Sequence, residues 1–231
     1  MQVAILTGGL ATRLGNITKD CPKSMVRVEG RPFLEFQLDF LKKGGVEDIV
    51  LCTGHLGEQI EDYFGDGRQY GVSIRYSHED KPLGTAGALK KAEPLLEDTF
   101  FTIYGDSFVR LDFGHVMSFF NLQNKLALMT VYKNYNRFDK SNTEIDGNLV
   151  KRFSKKEKTS QTIYVEHGVN IFRKQAINMI PANEFYSLDD LFPRLIEQEE
   201  LLAFEVNERF YEIGSLQGLN EFEYLVGGGV K

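Results

Sequence analysis

Cysteine is scarce in this chain: only Cys21 and Cys52 occur, far apart and outside any C-x-x-C spacing. That excludes a disulfide framework and a cysteine-ligated zinc site, and it suits a reducing compartment, the cytoplasm. Basic charge is also short, with 27 Lys and Arg against 33 Asp and Glu and a formal net charge of -6. A surface of that sign does not track a nucleic-acid backbone, so no nucleic acid is expected as a partner. Anionic small molecules remain open, because a few cations gathered in one place can build their site on an acidic protein. Long apolar runs are missing too, so no membrane partner is expected. The opening Met1–Leu6 is broken by Gly8-Gly9 before it reaches the length of a secretory leader. Neither an internal repeat nor a linker divides the chain.

What is present is a 231-residue sequence with 42% hydrophobic residues, enough to bury a core in one large α/β unit. Short apolar runs alternate with amphipathic ones. Gln2–Leu6, Asp48–Cys52, Ser73–Tyr76, Phe100–Tyr104 and Leu126–Tyr132 read as strands. Phe33–Lys43, Glu58–Phe64, Thr85–Leu96 and Gly114–Asn124 read as helices, the first closed by Gly44-Gly45. Alternation at this spacing implies crossover connections and a three-layer α/β/α sandwich around a mostly parallel, Rossmann-like sheet. Beyond Tyr132 the texture becomes more polar. Asp146-Gly147-Asn148 predicts a hairpin turn between Thr143–Ile145 and Leu149–Phe153. Gly168–Phe172 and Leu202–Val206 follow as strands, with Ser187–Glu199 and Gln217–Leu225 as helices. We expect a single domain over residues 1–226, its halves meeting near residue 132, and a tail over 227–231.

Ligands of such sheets bind beyond the carboxyl ends of the strands. The loop Thr7–Gly15 and the turn Gly105-Asp106 should therefore form two walls of one site. In the first, Gly8-Gly9 lets backbone N–H groups approach a polyphosphate. Arg13 offers a forked cation and Lys23, in Pro22-Lys23-Ser24-Met25, a point charge on a longer stem. A plain glycine turn with two solvated cations fits the same residues. The spacing matches neither a P-loop nor the G-x-G-x-x-G dinucleotide fingerprint, which counts against a nicotinamide-dependent dehydrogenase. Next, Pro82-Leu83-Gly84-Thr85-Ala86-Gly87-Ala88 leads a loop into a helix through small residues, giving a ligand access to backbone groups. Third, Asp106 ends an apolar strand, where a carboxylate can hold Mg²⁺, an ion that prefers oxygen ligands and substrate phosphates. Fourth, Glu212 stands before Ile213-Gly214-Ser215, with Ser215 also a candidate helix cap. His55 and His78 have no paired ligand nearby and are not read as metal residues.

Taken together, Gly8-Gly9-Leu10-Ala11-Thr12-Arg13-Leu14, Pro22-Lys23-Ser24-Met25, Pro82–Ala88, Gly105-Asp106 and Glu212-Ile213-Gly214-Ser215 resemble, in order, the motifs of the sugar-phosphate nucleotidyltransferases. The resemblance spans nearly the whole chain. It implies a nucleotide-diphospho-sugar transferase type of fold, and Mg²⁺ held by Asp106 and Glu212. It also implies a nucleotide site of Leu6, Gly8, Gly9, Thr12, Arg13, Glu79, Gly84 and Thr85. Arg13, Lys23 and Asp106 would be catalytic. Glu79 can accept a hydrogen bond from a base N–H, which guanine and uracil both offer. Lys156, Glu166 and Gly168 fall where the family contacts the sugar phosphate. Two positions depart from the pattern: Glu212 replaces the usual aspartate, and Lys155 replaces a glutamate.

The implied substrates are a nucleoside triphosphate and a sugar 1-phosphate, with a homodimer as a candidate assembly. The chain stops soon after the core fold, and in this it looks most like bacterial enzymes that guanylylate a manno-heptose 1-phosphate. A uridylyltransferase acting on a hexose or muramic-type 1-phosphate is the alternative. A non-catalytic regulatory homologue that binds the same ligands is another.

Overall fold

A computed structural model describes residues 1–9 and 20–228. Thr12 and Arg13 of the first motif, and residues 229–231 of the expected tail, lie outside the described residues. The strands are β1 (Gln2–Leu6), β2 (Arg27–Val28), β3 (Arg31–Pro32), β4 (Asp48–Thr53), β5 (Ser73–His78), β6 (Thr99–Tyr104), β7 (Ser107–Phe108), β8 (Ala127–Lys133), β9 (Thr143–Asp146), β10 (Leu149–Phe153), β11 (Tyr164–Arg173), β12 (Leu201–Val206) and β13 (Tyr211–Glu212). The helices are α1 (Phe33–Lys43), α2 (Gly57–Phe64), α3 (Gly84–Ala92), α4 (Phe113–Asn121), α5 (Lys174–Ile177), α6 (Leu188–Glu197) and α7 (Leu216–Val226).

Nine strands share one sheet in the order β5-β4-β1-β6-β11-β8-β12-β10-β9, so both halves of the chain contribute to it. From β5 to β6 the strands are parallel. β11 then enters antiparallel to both β6 and β8. β12 is parallel to β8, and β10 is antiparallel to β12 and β9. The sheet is mixed rather than mostly parallel: a run of parallel strands spans β5 to β6, and beyond it only β8 and β12 pair in parallel. The reason lies in the connections: β8, β9, β10 and β11 follow one another with no helix between them, and only a long crossover returns a chain parallel to its neighbour.

Residues alternate between the two faces with the strand period of two. Val3, Ile5, Ile49 and Leu51 pack with Leu34 and Leu38 of α1, Ile60 of α2 and Phe113 of α4. Ala4, Val50 and Cys52 face Ala86 and Leu89 of α3 and Leu191 and Phe192 of α6. Helix α1 closes as its two glycines predict. Gly45 takes φ +75, its N–H donates to the Lys42 carbonyl, and Val46 N–H donates to that of Leu41, the paired bonds of a left-handed helix stop. Helix α3 is shorter than the Thr85–Leu96 expected, giving way to a 3-10 turn over Glu93–Leu95. Pro94 lies in that turn and cannot continue an α-helix.

A third apolar cluster lies outside the sheet. Phe222 of α7, wholly buried, meets Phe33, Phe36 and Phe108 at ring distances of 4.8, 5.5 and 5.1 Å. Val26, Val28 and Ile213 complete the cluster. By packing α7 onto α1, it brings the short strand β13 alongside β7, with Glu212 opposite Ser107. Four of the short elements that do this (β2, β3, β7 and β13) have no periodic signal, and the sequence reading does not contain them.

Candidate active site

A cleft of about 370 Å³ opens beyond the carboxyl ends of β1, β4, β5 and β6. Leu6, Gly8, Gly9, Lys23, Glu79, Gly84, Thr85 and Asp106 all line it, so residues drawn from three separate motifs meet in one place. Cys52, Pro82, Ala88, Tyr104 and Phe185 also line it. Burial, with a smaller contribution from Glu79, pushes the Cys52 thiol up to about 12. It is therefore an apolar wall rather than a nucleophile.

Four hydrogen bonds fix the turn that carries Asp106. Gly105 N–H donates to the Leu6 carbonyl at 2.9 Å, and Ile213 N–H donates to the Asp106 carbonyl at 2.9 Å. The buried Gln37 amide of α1 donates to the carbonyls of Tyr104 and Ser107 at 2.9 and 2.6 Å. A side chain at Gly105 would strike Thr7 Cγ2 at 2.7 Å, which is why glycine precedes the aspartate. Lys23 Nζ donates to Asp106 Oδ2 at 2.6 Å, both groups being partly shielded from solvent. Glu212 reaches the same place from β13. A Cβ on Gly214 would collide with Glu212 Oε2 and lie 3.0 Å from Lys23 Nζ. The ammonium thus sits beside Asp106 and close to Glu212. Ser215 Oγ donates to Glu212 Oε1 at 3.1 Å while accepting the Gly218 N–H as the cap of α7. Ser215 is both the helix cap and the residue that orients the acid.

Two carboxylates gathered around one positive charge offer the hard oxygen donors that Mg²⁺ prefers, and that ion commonly takes its remaining ligands from water and substrate phosphate. No cluster of three or more His, Cys, Asp or Glu side chains suited to a metal occurs among the described residues. Asp106 and Glu212 are the carboxylates at this edge of the cleft that could hold such an ion.

The Pro82–Ala88 segment, which supplies Pro82, Gly84, Thr85 and Ala88 to the cleft wall, is also braced by contacts from the second half of the chain. The N–H groups of Ala86 and Gly87 both donate to the Tyr186 carbonyl, at 3.0 and 2.8 Å, and Thr85 Oγ1 accepts the Leu188 N–H at 2.8 Å. Two N–H groups in the first turn of α3 are thereby taken up by the 184–188 segment. Gly84 and Gly87 admit that segment: added Cβ atoms would meet the Tyr186 oxygen at 2.7 Å and the Glu184 oxygen at 2.9 Å. Gly84 also holds φ +75. We expect Gly84→Ala to cost about 2 kcal/mol in chemical denaturation, because it combines left-handed strain with a backbone clash. Gly8 plays a comparable part for Glu79, whose Oε1 lies 2.8 Å from a Cβ built on Gly8. Glu79 Oε2 accepts the Leu83 N–H at 3.1 Å, and burial raises its pKa. Among the described residues nothing donates to Oε1, which leaves an acceptor at the cleft.

On the other side of β6, strand β11 carries a bulge between Glu166 and Asn170, with Gly168 at φ +96. It turns Glu166 toward Tyr104. Glu166 accepts from Asn170 Nδ2 at 3.0 Å and from the Tyr104 hydroxyl at 3.4 Å. Burial raises its pKa, while Asn170 and Lys155 oppose the rise. The lysine coupled to Glu166 is Lys155, paired with Asp189 at 2.9 Å. Lys156 is exposed, its backbone N–H donating to Ser154 Oγ at 3.3 Å. Asp189 and Asn170 are site neighbours that the sequence reading missed. No local motif marks them.

His167, next to Glu166, is wholly buried, and burial pushes its pKa down to about 4. The two neighbours have opposite effects on stability. The unfolded chain takes up a proton at His167 below its ordinary 6.5, so stability drains away as pH falls from there toward about 4. Glu166 keeps its proton to higher pH in the folded protein, so its burial costs stability as pH rises past the ordinary carboxylate range. In thermal melts, Glu166→Gln should therefore gain melting temperature at neutral pH and gain none below about pH 4. His167→Gln should flatten the fall between 6.5 and about 4.

A cation flanked by two strand-end carboxylates, opening onto a cleft large enough for a nucleotide, marks an enzyme that handles phosphoryl groups. The chain belongs to the nucleotidyl transferase family, whose pattern matches residues 2–226. It is 32% identical over 216 residues to a D-glycero-alpha-D-manno-heptose 1-phosphate guanylyltransferase of Campylobacter jejuni, covering 93% of this chain and 95% of that protein. A UTP–glucose-1-phosphate uridylyltransferase of Synechocystis is also 32% identical, over 85% of this chain and 55% of its own length. The crystal structure of HddC from Yersinia pseudotuberculosis complexed with GMP-PN superposes with a TM-score of 0.79 at 26% identity, covering 95% of this chain and 96% of that one. The chain is a sugar-phosphate nucleotidyltransferase, as its motifs imply. No helix among the described residues is long and apolar enough to cross a membrane.

Proposed function

We propose that the protein transfers a guanylyl group from GTP to a manno-heptose 1-phosphate in the cytoplasm, releasing pyrophosphate and supplying a nucleotide-activated heptose for surface polysaccharide. The observation that carries the chemistry is the convergence of Lys23, Asp106 and Glu212 at one edge of the cleft. A phosphate oxygen of the sugar 1-phosphate, already ionised at neutral pH, attacks the α-phosphorus in line. The new P–O bond forms as the bond to the β-phosphate breaks, and pyrophosphate leaves. No general base is needed, so catalysis consists of positioning and charge stabilisation. Lys23 would place its ammonium on the phosphate oxygens, joined there by Arg13. Asp106 and Glu212 would hold Mg²⁺, which when bound offsets charge on the phosphates. Glu79 would accept from the base, and Glu166, beside Gly168, would take sugar hydroxyls. Lys156 would make the sugar-phosphate contact that the family pattern implies. The choice of GTP and heptose rests on the likeness to the Campylobacter jejuni enzyme and to HddC with its bound GMP-PN.

The equal identity of the Synechocystis enzyme favours UTP with a hexose 1-phosphate as the second reading. A matrix of triphosphates against sugar 1-phosphates, followed by pyrophosphate release, separates the two. The expected maximum is GTP with the heptose phosphate, and a UTP–hexose maximum would replace the first reading with the second. Chelation should abolish turnover, and added Mg²⁺ should restore it.

A further inference from the structure

We infer that Phe185, contributed by the second half of the chain, forms the stacking wall for the nucleobase and closes the nucleotide pocket. The inference rests on the nucleotidyltransferase reading and deepens it. Phe185 is 68% exposed, yet it lines the cleft together with Glu79, Pro82, Gly84 and Thr85. A methyl group built on Gly84 would lie 3.3 Å from Cε2 of the ring, so the phenyl edge rests on a residue that offers no side chain.

An isolated exposed phenylalanine carries no message. This one is held in place by its neighbour. Tyr186 N–H donates to the Leu83 carbonyl at 2.8 Å, and the Tyr186 carbonyl accepts from Ala86 and Gly87. The backbone beside Phe185 is thus stitched to α3, which fixes where the ring leaves the chain at the edge of the cleft.

Position decides which part of the ligand the ring meets. Glu79 follows β5 and Asp106 follows β6, three strand spacings away in the sheet. At about 4.8 Å per spacing that is roughly 14 Å between the two strand ends, although the Glu79 carboxylate itself reaches back to Gly8 beyond β1. The charges of Lys23 and Asp106 lie at the β6 end. Pro82, Gly84 and Phe185 lie with Glu79 at the other, where a flat apolar ring, an acceptor and exposed backbone suit a heterocycle with N–H donors. Every base has a π-face, so the wall serves affinity for any nucleotide, while its contact is larger for a purine than for a pyrimidine.

Calorimetric titration of GTP and UTP into wild type, Phe185→Ala and Phe185→Tyr, without sugar 1-phosphate, tests this directly. Steady-state KM values for both substrates complete the comparison. We expect Phe185→Ala to weaken GTP about tenfold, within the range that base–aromatic stacking contributes. Phe185→Tyr should restore binding to within about twofold, and the loss for UTP should be smaller than for GTP. The KM of the sugar 1-phosphate should stay within about twofold. Unchanged GTP affinity in Phe185→Ala overturns the inference and leaves the enzyme assignment standing. A rise confined to the sugar-phosphate KM also overturns it. A wild-type protein that binds neither triphosphate overturns the inference and the functional reading together. Melting curves of the variants, expected to match wild type because the ring is exposed, exclude unfolding as the cause.

Discussion

Asp106→Asn should leave a folded protein whose turnover falls by about 10²–10³-fold or more, the loss typical when one preorganised charge contact is removed from a transition state. The substitution preserves shape. The four contacts that hold the turn use backbone groups of Leu6, Tyr104, Gly105, Asp106, Ser107 and Ile213, with the Gln37 amide as donor, and the Asp106 side chain adds only a 3.4 Å bond accepted from Ser107 Oγ. What disappears is one negative charge and with it the 2.6 Å ion pair to Lys23. The near-isosteric amide still accepts a hydrogen bond, so melting temperature should shift by only a few degrees. Lys23→Ala should show the same loss of rate from the other side of the pair. The check is single-turnover pyrophosphate release alongside thermal melts. Wild-type turnover in either variant would remove both residues from the site.

Phe222→Ala should have the largest effect on stability, about 3–5 kcal/mol, the usual range for deleting a buried phenyl ring. The ring is wholly buried among three other aromatics and joins α7 to α1. The same change should also depress activity at temperatures where the sheet remains folded. Once α7 loosens, Ser215 no longer orients Glu212, and β13 loses the packing that keeps it on β7. Denaturant unfolding measures the first effect. Limited proteolysis, with cleavage expected near residues 207–216 before the sheet opens, measures the second.

Much of this arrangement is legible in the sequence wherever a residue's role depends on its immediate neighbours. The strand β1 followed by Gly8-Gly9, the helix α1 closed by Gly44-Gly45, the hairpin turned at Gly147 and the strand ending in Gly105-Asp106 are all local in this sense. Asp106 and Lys23 could be named because a carboxylate at a strand end and a lysine after a proline stand in recognisable motifs. The direction of β11 is less legible, since pairing partners are chosen by the whole sheet and the run Tyr164–Arg173 reads the same in either orientation. The purpose of Gly84 and Gly87 is hidden as well. They suggest room for a ligand, and Gly84 does line the cleft, while the backbone atoms that come close to them belong to Glu184 and Tyr186, about a hundred residues away. Lys155 shows the limit most plainly. Motif alignment points to its neighbour Lys156 for the sugar phosphate, whereas the lysine whose charge acts on Glu166 is Lys155, ion-paired with the distant Asp189 of α6.

The docking of α7 has a consequence for how the molecule matures. Because Glu212 is delivered by a strand of two residues that stays in place only after the last helix has packed, a nascent chain can assemble its sheet and cleft before its second acid arrives. On the roles proposed for these acids, catalytic competence would come last in biogenesis, and a chain cut short before Glu212 is expected to bind nucleotide without consuming it.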